Sequence, residues 1–112
     1  DKRRPFAQAA PGAVGLETLL PAALGLHHEH GLDVLEVLRP LTHGPAALLG
    51  LEAGVLATDA PADLVLFDPS APVVIDAATL RSKSKNTPFD GRRLQGRVMA
   101  TWVGGRQVFG HD

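Results

Sequence analysis

The run His27-His28-Glu29-His30 contains the residues of this chain whose types and spacing come nearest to chemistry. On a helix, His27 and His30 stand three apart and could face one way, as two imidazole ligands of a zinc ion would. The spacing is not His-Glu-x-x-His, however, and no further ligand stands nearby. The run also precedes Gly31, a helix stop signal, and partial positive charge in a last turn suits the helix dipole. A helix terminus is therefore favoured over a metal site. His43, beside Gly44-Pro45, reads as a turn or cap residue, and His111 falls in the tail. Gly12-Ala13-Val14-Gly15 is too loose for a dinucleotide-binding loop and follows no recognisable strand. The basic stretches Asp1–Arg4 and Arg81–Lys85 lack interleaved aromatics for base stacking and read as solvated faces. No Ser-His-Asp arrangement or paired carboxylate can be assembled. On these grounds no residue of the chain is assigned as catalytic or metal-binding.

Composition narrows the function classes further. At 112 residues the chain is one ordinary domain or less. It starts at Asp1 without an initiator Met, which is read as a piece of a longer polypeptide. A net charge of −1 gives no electrostatic case for a nucleic-acid partner. No apolar run approaches the ~20 residues of a membrane span. There are no cysteines, so neither a disulfide framework nor a thiolate nucleophile exists, which fits a cytoplasmic protein. Hydrophobic residues make up 45% but aromatics only 4%, so the core must be aliphatic.

The elements that would position any site fall into two halves. Leu16, Leu19, Leu20, Ala23 and Leu24 have helical spacing, predicting a helix over about 17–30 with Pro21 in its first turn and Gly31 as its stop. Asp33 followed by Glu36 is a capping-box pattern for a second helix over 33–42, which Pro40 must kink or end. Pro45 opens a third helix through Leu49, closed by Gly50. Beyond Leu51 the chain turns β-rich. A strand over 62–67 ends in an Asp68-Pro69 turn, and Val73-Val74-Ile75 is a short second strand. Residues 96–103 alternate as a half-buried strand, and Gly104-Gly105 return the chain through 106–109 as a hairpin.

Two runs together carry a resemblance. Ser84-Lys85-Asn86-Thr87-Pro88-Phe89-Asp90-Gly91, preceded some seventy residues earlier by Gly12-Ala13-Val14-Gly15-Leu16-Glu17-Thr18, resembles the C-terminal part of the class I dihydroorotases of the amidohydrolase superfamily. Lys2, Arg4-Pro5-Phe6 and Ala10 look like the segment after that family's last metal-binding strand. Thr42, Pro45-Ala46, Leu49-Gly50-Leu51 and Gly54 are similar to its Thr-x-x-Pro-Ala…Leu-Gly-Leu…Gly signature. Ala62-Asp63-Leu64 and Asp68 are shared by many amidohydrolases. Leu94, Gly96, Val98, Thr101 and Gly104 continue the discriminating part. Asp59 departs from the family, which commonly has Gly there.

The resemblance implies an α/β fold, the C-terminal piece of a (β/α)8 metal-dependent hydrolase barrel with part of its small β domain. Residues 1–51 would be the last loop and helices of the barrel, and 52–112 the C-terminal part of the β-rich domain. It implies a parent that reversibly hydrolyses dihydroorotate to N-carbamoyl-aspartate in pyrimidine synthesis. The zinc of that parent would be held by ligands outside this chain, so the chain alone is expected to be inactive and to hold no zinc. By position, Pro11 and Gly12 match the two residues whose main chain touches the substrate; in the residues alone, Pro-Gly is also an ordinary turn. The alternatives are a dihydroorotase-like structural partner of aspartate transcarbamoylase that has lost its ligands, or another cyclic amidohydrolase such as an allantoinase or hydantoinase. The expected partners are the substrate and the rest of the parent chain, with a homodimer or aspartate transcarbamoylase beyond them. Leu20, Leu24, Leu35 and Leu38 are expected to form apolar stripes covering the barrel.

Overall fold

The computed structural model describes residues 5–9 and 11–110, so Asp1–Arg4, Ala10 and His111 lie outside the described residues. Helices α1 (Leu19–His30), α2 (Val34–Leu38) and α3 (His43–Leu49) precede strands β1 (Leu64–Val74), β2 (Arg93–Val103) and β3 (Arg106–Gly110). The strands form one antiparallel sheet in that order.

Prolines and glycines set the helix limits. The Gly15 carbonyl accepts the N–H groups of Thr18 and Leu19 at 3.1 and 2.8 Å, so a turn precedes α1 and delays its start to Leu19. Pro21 is then the third helical residue, where no intrahelical partner for an N–H exists. Gly31 ends the helix at φ 71°. Asp33 caps α2 by accepting the Leu35 N–H at 2.8 Å, while the reciprocal Glu36 bond of a full capping box is absent among the described residues. The expected helix over 33–42 is shorter. It stops at Leu38 and tightens into a 3₁₀ turn over Arg39–Leu41, because Pro40 supplies no N–H and its ring crowds the preceding turn. α3 starts two residues before Pro45, so His43 is its first helical residue rather than a turn between helices.

The β half also departs from expectation at one point. Asp68-Pro69 does not end a strand. β1 runs through it as a single eleven-residue strand, paired with β2 on both sides of a bulge between Asp68 and Pro72. The Asp68 carboxylate accepts the N–H groups of Ser70 and Ala71 at 2.9 and 3.2 Å, replacing the ladder bonds lost there. Pro69 sits in the bulge, where a missing donor costs nothing. The β2–β3 hairpin turns at Gly104 (φ 55°) and Gly105 (φ 78°), as the glycine pair requires. Its turn is tied to the start of β1 by Gly105 N–H to the Ala62 carbonyl at 3.0 Å and Gly104 N–H to the Asp63 carboxylate at 2.8 Å. Asp59 adopts φ 66°, the only positive φ at a described non-glycine residue, which accounts for a glycine preference at that position.

The buried apolar side chains are few: Leu24, Val37, Ile75, Ala46 and Ala100. α1 rests on β2 where Gly96 has no side chain, and a Cβ there would stand 2.5 Å from Leu24 Cδ1. Leu24 is therefore 0% exposed within this chain, contrary to its expected place on an outward stripe. Leu35 is 76% exposed, as a stripe residue should be, while Leu20 and Leu38 are half-buried. Gly54 of the quoted signature has its own packing reason. At φ 76° it lies against the Thr42–His43 peptide, and a Cβ would come within 2.8 Å of the Thr42 carbonyl carbon.

Candidate functional site

The two runs that define the resemblance meet in space, joined by hydrogen bonds from three directions. Asn86 Nδ2 donates to the carbonyls of both Pro11 and Gly12, at 3.1 and 2.9 Å. The main-chain carbonyl of Asn86 accepts the Val14 N–H at 2.9 Å. Glu17, just before α1, spreads its two carboxylate oxygens over the N–H groups of Arg81 and Ser82, at 3.0 and 3.1 Å. Those two main-chain donors stabilise the ionised form and hold the Glu17 carboxyl below the usual glutamate range. The charges of Arg81 and Lys85 add to this, against a slight opposing effect of burial.

Local sequence explains the arrangement. Gly12 takes φ 59°, and the left-handed turn accompanies the convergence of two successive carbonyls on one donor. An Asn amide has two N–H groups and so can serve both. The opposite amide orientation would set its oxygen against two carbonyl oxygens, so the chemistry selects the donor orientation. Lys85 Nζ donates to the Leu80 carbonyl, and the Arg81 guanidinium stands 5.4 Å from the centre of the Phe109 ring on β3. The basic run is therefore folded onto its own chain in part, rather than projecting wholly into solvent. Beside the joined segments lies an open depression of 270 Å³, walled by Val14, Gly15, Leu16, Leu80 and Ser82 among others.

Pro11 and Gly12 lie on the exposed outer side of this junction, with open space where a Gly12 side chain would point. The expectation that their carbonyls are available to a ligand needs adjustment. Each already accepts one hydrogen bond from Asn86 and keeps a second acceptor direction. Asn86 and Glu17 were quoted as parts of motifs but given no role by the sequence. The available signal was a polar residue in each run beside glycine or proline, and only the fold reveals that they bridge.

The histidine run takes a different part. His27 Nδ1–H donates to the Leu32 carbonyl at 2.6 Å, closing the end of α1. His28 Nε2–H donates to the Pro69 carbonyl at 2.8 Å, tying the helix to the bulge of β1. Among the described residues no group of three or more His, Cys, Asp or Glu is placed to hold a metal ion. The donors present do not fit a zinc centre. No helix of the described residues is long and apolar enough to cross a membrane.

Comparison with known proteins agrees with this architecture. Residues 13–109 match the amidohydrolase family, and the chain belongs to that family. It is 46% identical over 109 residues to the dihydroorotase of Anaplasma phagocytophilum, covering 97% of this chain and 24% of that protein. It is 48% identical over 107 residues to the dihydroorotase of Anaeromyxobacter dehalogenans, covering 96% and 25%. Among solved structures, the L-hydantoinase (dihydropyrimidinase) of Arthrobacter aurescens superposes with a TM-score of 0.82 at 34% identity, over 91% of this chain and 23% of that one. A D-hydantoinase structure gives 0.84 at 22% identity, covering 97% and 24%, a likeness of fold. The chain spans about a quarter of the length of the relatives it matches.

Proposed function

We propose that this chain is the C-terminal portion of a dihydroorotase, whose whole catalyses the reversible hydrolysis of the cyclic amide of dihydroorotate to N-carbamoyl-aspartate in the cytoplasm. The observation that supports it best is the identity of 46% to a dihydroorotase across nearly the whole chain. In this reading residues 1–51 are the last loop and helices of a (β/α)8 barrel, and 52–112 belong to a small β-rich domain beside it. The zinc ligands of the parent lie outside this chain. What this chain contributes is a loop: Pro11 and Gly12 offer main-chain N–H and C=O groups to the amide edge of the ring, which has both donors and acceptors.

A hydantoinase reading is favoured only by the titles of the solved structures, at lower identity. The two differ in substrate charge, since dihydroorotate carries a ring carboxylate and an unsubstituted dihydropyrimidine does not. The test is to purify the full-length protein with its metal and compare turnover of dihydroorotate, dihydrouracil and a 5-substituted hydantoin. Selective turnover of dihydroorotate supports the proposal. Preference for either neutral ring, or no turnover with an upstream sequence lacking the His and Asp ligands, replaces it with the hydantoinase or the scaffold reading respectively.

A further inference from the structure

We propose that Asn86 is a positioning residue: its side-chain amide fixes the Pro11–Gly12 main chain in the conformation that meets substrate. The inference rests on the functional reading above and adds to it a residue 74 positions further along the chain. Little else holds this loop. Pro11, Gly12 and Ala13 are exposed, and the first buried side chain beyond them is Thr18. Packing therefore does not set the loop's geometry, and hydrogen bonding must. A ligand-contacting segment has to be held within about 0.5 Å of its productive place.

Asn86 makes three bonds that together do this. The side chain takes the carbonyls of residues 11 and 12, and the main-chain carbonyl takes the Val14 N–H, so both sides of the Gly12 turn are tied to one residue. Because each peptide unit is trans and planar, drawing the Pro11 and Gly12 carbonyls toward Asn86 turns the N–H groups of the same peptides the other way. Asn86 thus decides which polar edge of the loop faces away from the 80–91 segment and toward a ring bound there. The segment bearing Asn86 is itself anchored, through Arg81 and Ser82, on Glu17 at the foot of α1.

The experiment uses the full-length, metal-loaded protein with Asn86→Asp and Asn86→Ala. The first keeps the shape, removes both donors and sets a negative charge against two carbonyls; the second removes the donors without adding charge. We expect KM for dihydroorotate to rise roughly tenfold, the scale of one or two lost hydrogen bonds, with kcat much less affected and metal content unchanged. Amide exchange over residues 11–14 should quicken while that of the β2–β3 hairpin stays as in wild type. Unchanged KM in both variants, or unchanged exchange in the loop, overturns the inference. If either variant fails to fold, the other supplies the comparison, and if both lose the hairpin's protection as well, Asn86 is a folding residue and the inference is wrong. Wild-type protein that leaves dihydroorotate untouched removes the functional reading at its own control, and loop exchange then decides by itself whether Asn86 is the clamp.

Discussion

Gly12 has φ 59° and open space where a side chain would project, so a substitution there is opposed by backbone strain and by whatever approaches the loop, not by this chain's own packing. Gly12→Val in the full-length protein should lower kcat/KM roughly tenfold or more, the loss of a contact worth on the order of 1–3 kcal/mol, with bound metal unchanged. Unaltered kinetics would reduce Pro11-Gly12 to a surface turn. Glu17 supports a second prediction of a different kind. Its folded-state pKa is lowered, so its contribution is present above the ordinary glutamate value and is lost as pH falls through the lowered one. Protection of the Arg81 and Ser82 amides should therefore persist at neutral pH and fade below about pH 4. In Glu17→Gln it should be weaker throughout. Because Glu17 is exposed, the effect on global stability should be small. Protection that is indifferent to both acid and the substitution would show that the two amides are shielded by something other than the carboxylate.

At the scale of elements, the closest approach is between α1 and β2, where Gly96 lies under Leu24 and within 3.4 Å of the Pro21 Cα measured from an added Cβ. Leu24 has no exposed side to turn toward, and Gly96 itself has φ 122°. Gly96→Val should therefore destabilise by at least the ~1–3 kcal/mol typical of overpacking, seen as a lower denaturation midpoint with the slope unchanged. A loss within error would mean that α1 can lift from the sheet without consequence. The same elements show how far the sequence could be read. Helix stops at Gly31 and Gly50 and the Gly104-Gly105 hairpin were legible, because each depends on one residue's backbone freedom. The continuation of β1 past Asp68-Pro69 was not. A local Asp-Pro signal reads as a turn, and only pairing with β2 on both sides, with the Asp68 carboxylate bridging the gap, keeps the strand whole. Leu24 was misplaced for a related reason. Helical spacing identifies an apolar stripe but not which neighbour covers it. The site was legible as Pro11-Gly12 through resemblance alone, whereas Asn86 and Glu17 acquire roles only when the distant segments are brought together.

The whole molecule exposes 8637 Å², against about 5,900 Å² expected from surface scaling for a compact monomer of its mass. Its radius of gyration is 16.0 Å, where about 13 Å would be usual for this length. Leu16, Leu35, Leu48, Leu49 and Leu56 are all more than half exposed. The surplus, roughly 2,700 Å², is larger than the ~800 Å² that one partner contributes to a standard interface. Enclosure by the remainder of a larger polypeptide accounts for it better than a single dimer contact would. The 112-residue chain produced alone should accordingly associate with itself and bind a hydrophobic dye, as sedimentation and fluorescence would show. A monodisperse, dye-silent monomer at every concentration tested would contradict this. The distance in sequence between the loop and its clamp also has a consequence for how the protein comes into being. Gly12 and Asn86 are separated by 74 residues, and no local contact can substitute for that pairing. At the usual ribosomal pace of about 5–20 residues per second, the loop is made roughly 4–15 s before its partner exists. During synthesis the helices can form while the loop beside them still lacks its clamp, so the site is completed only near the end of translation.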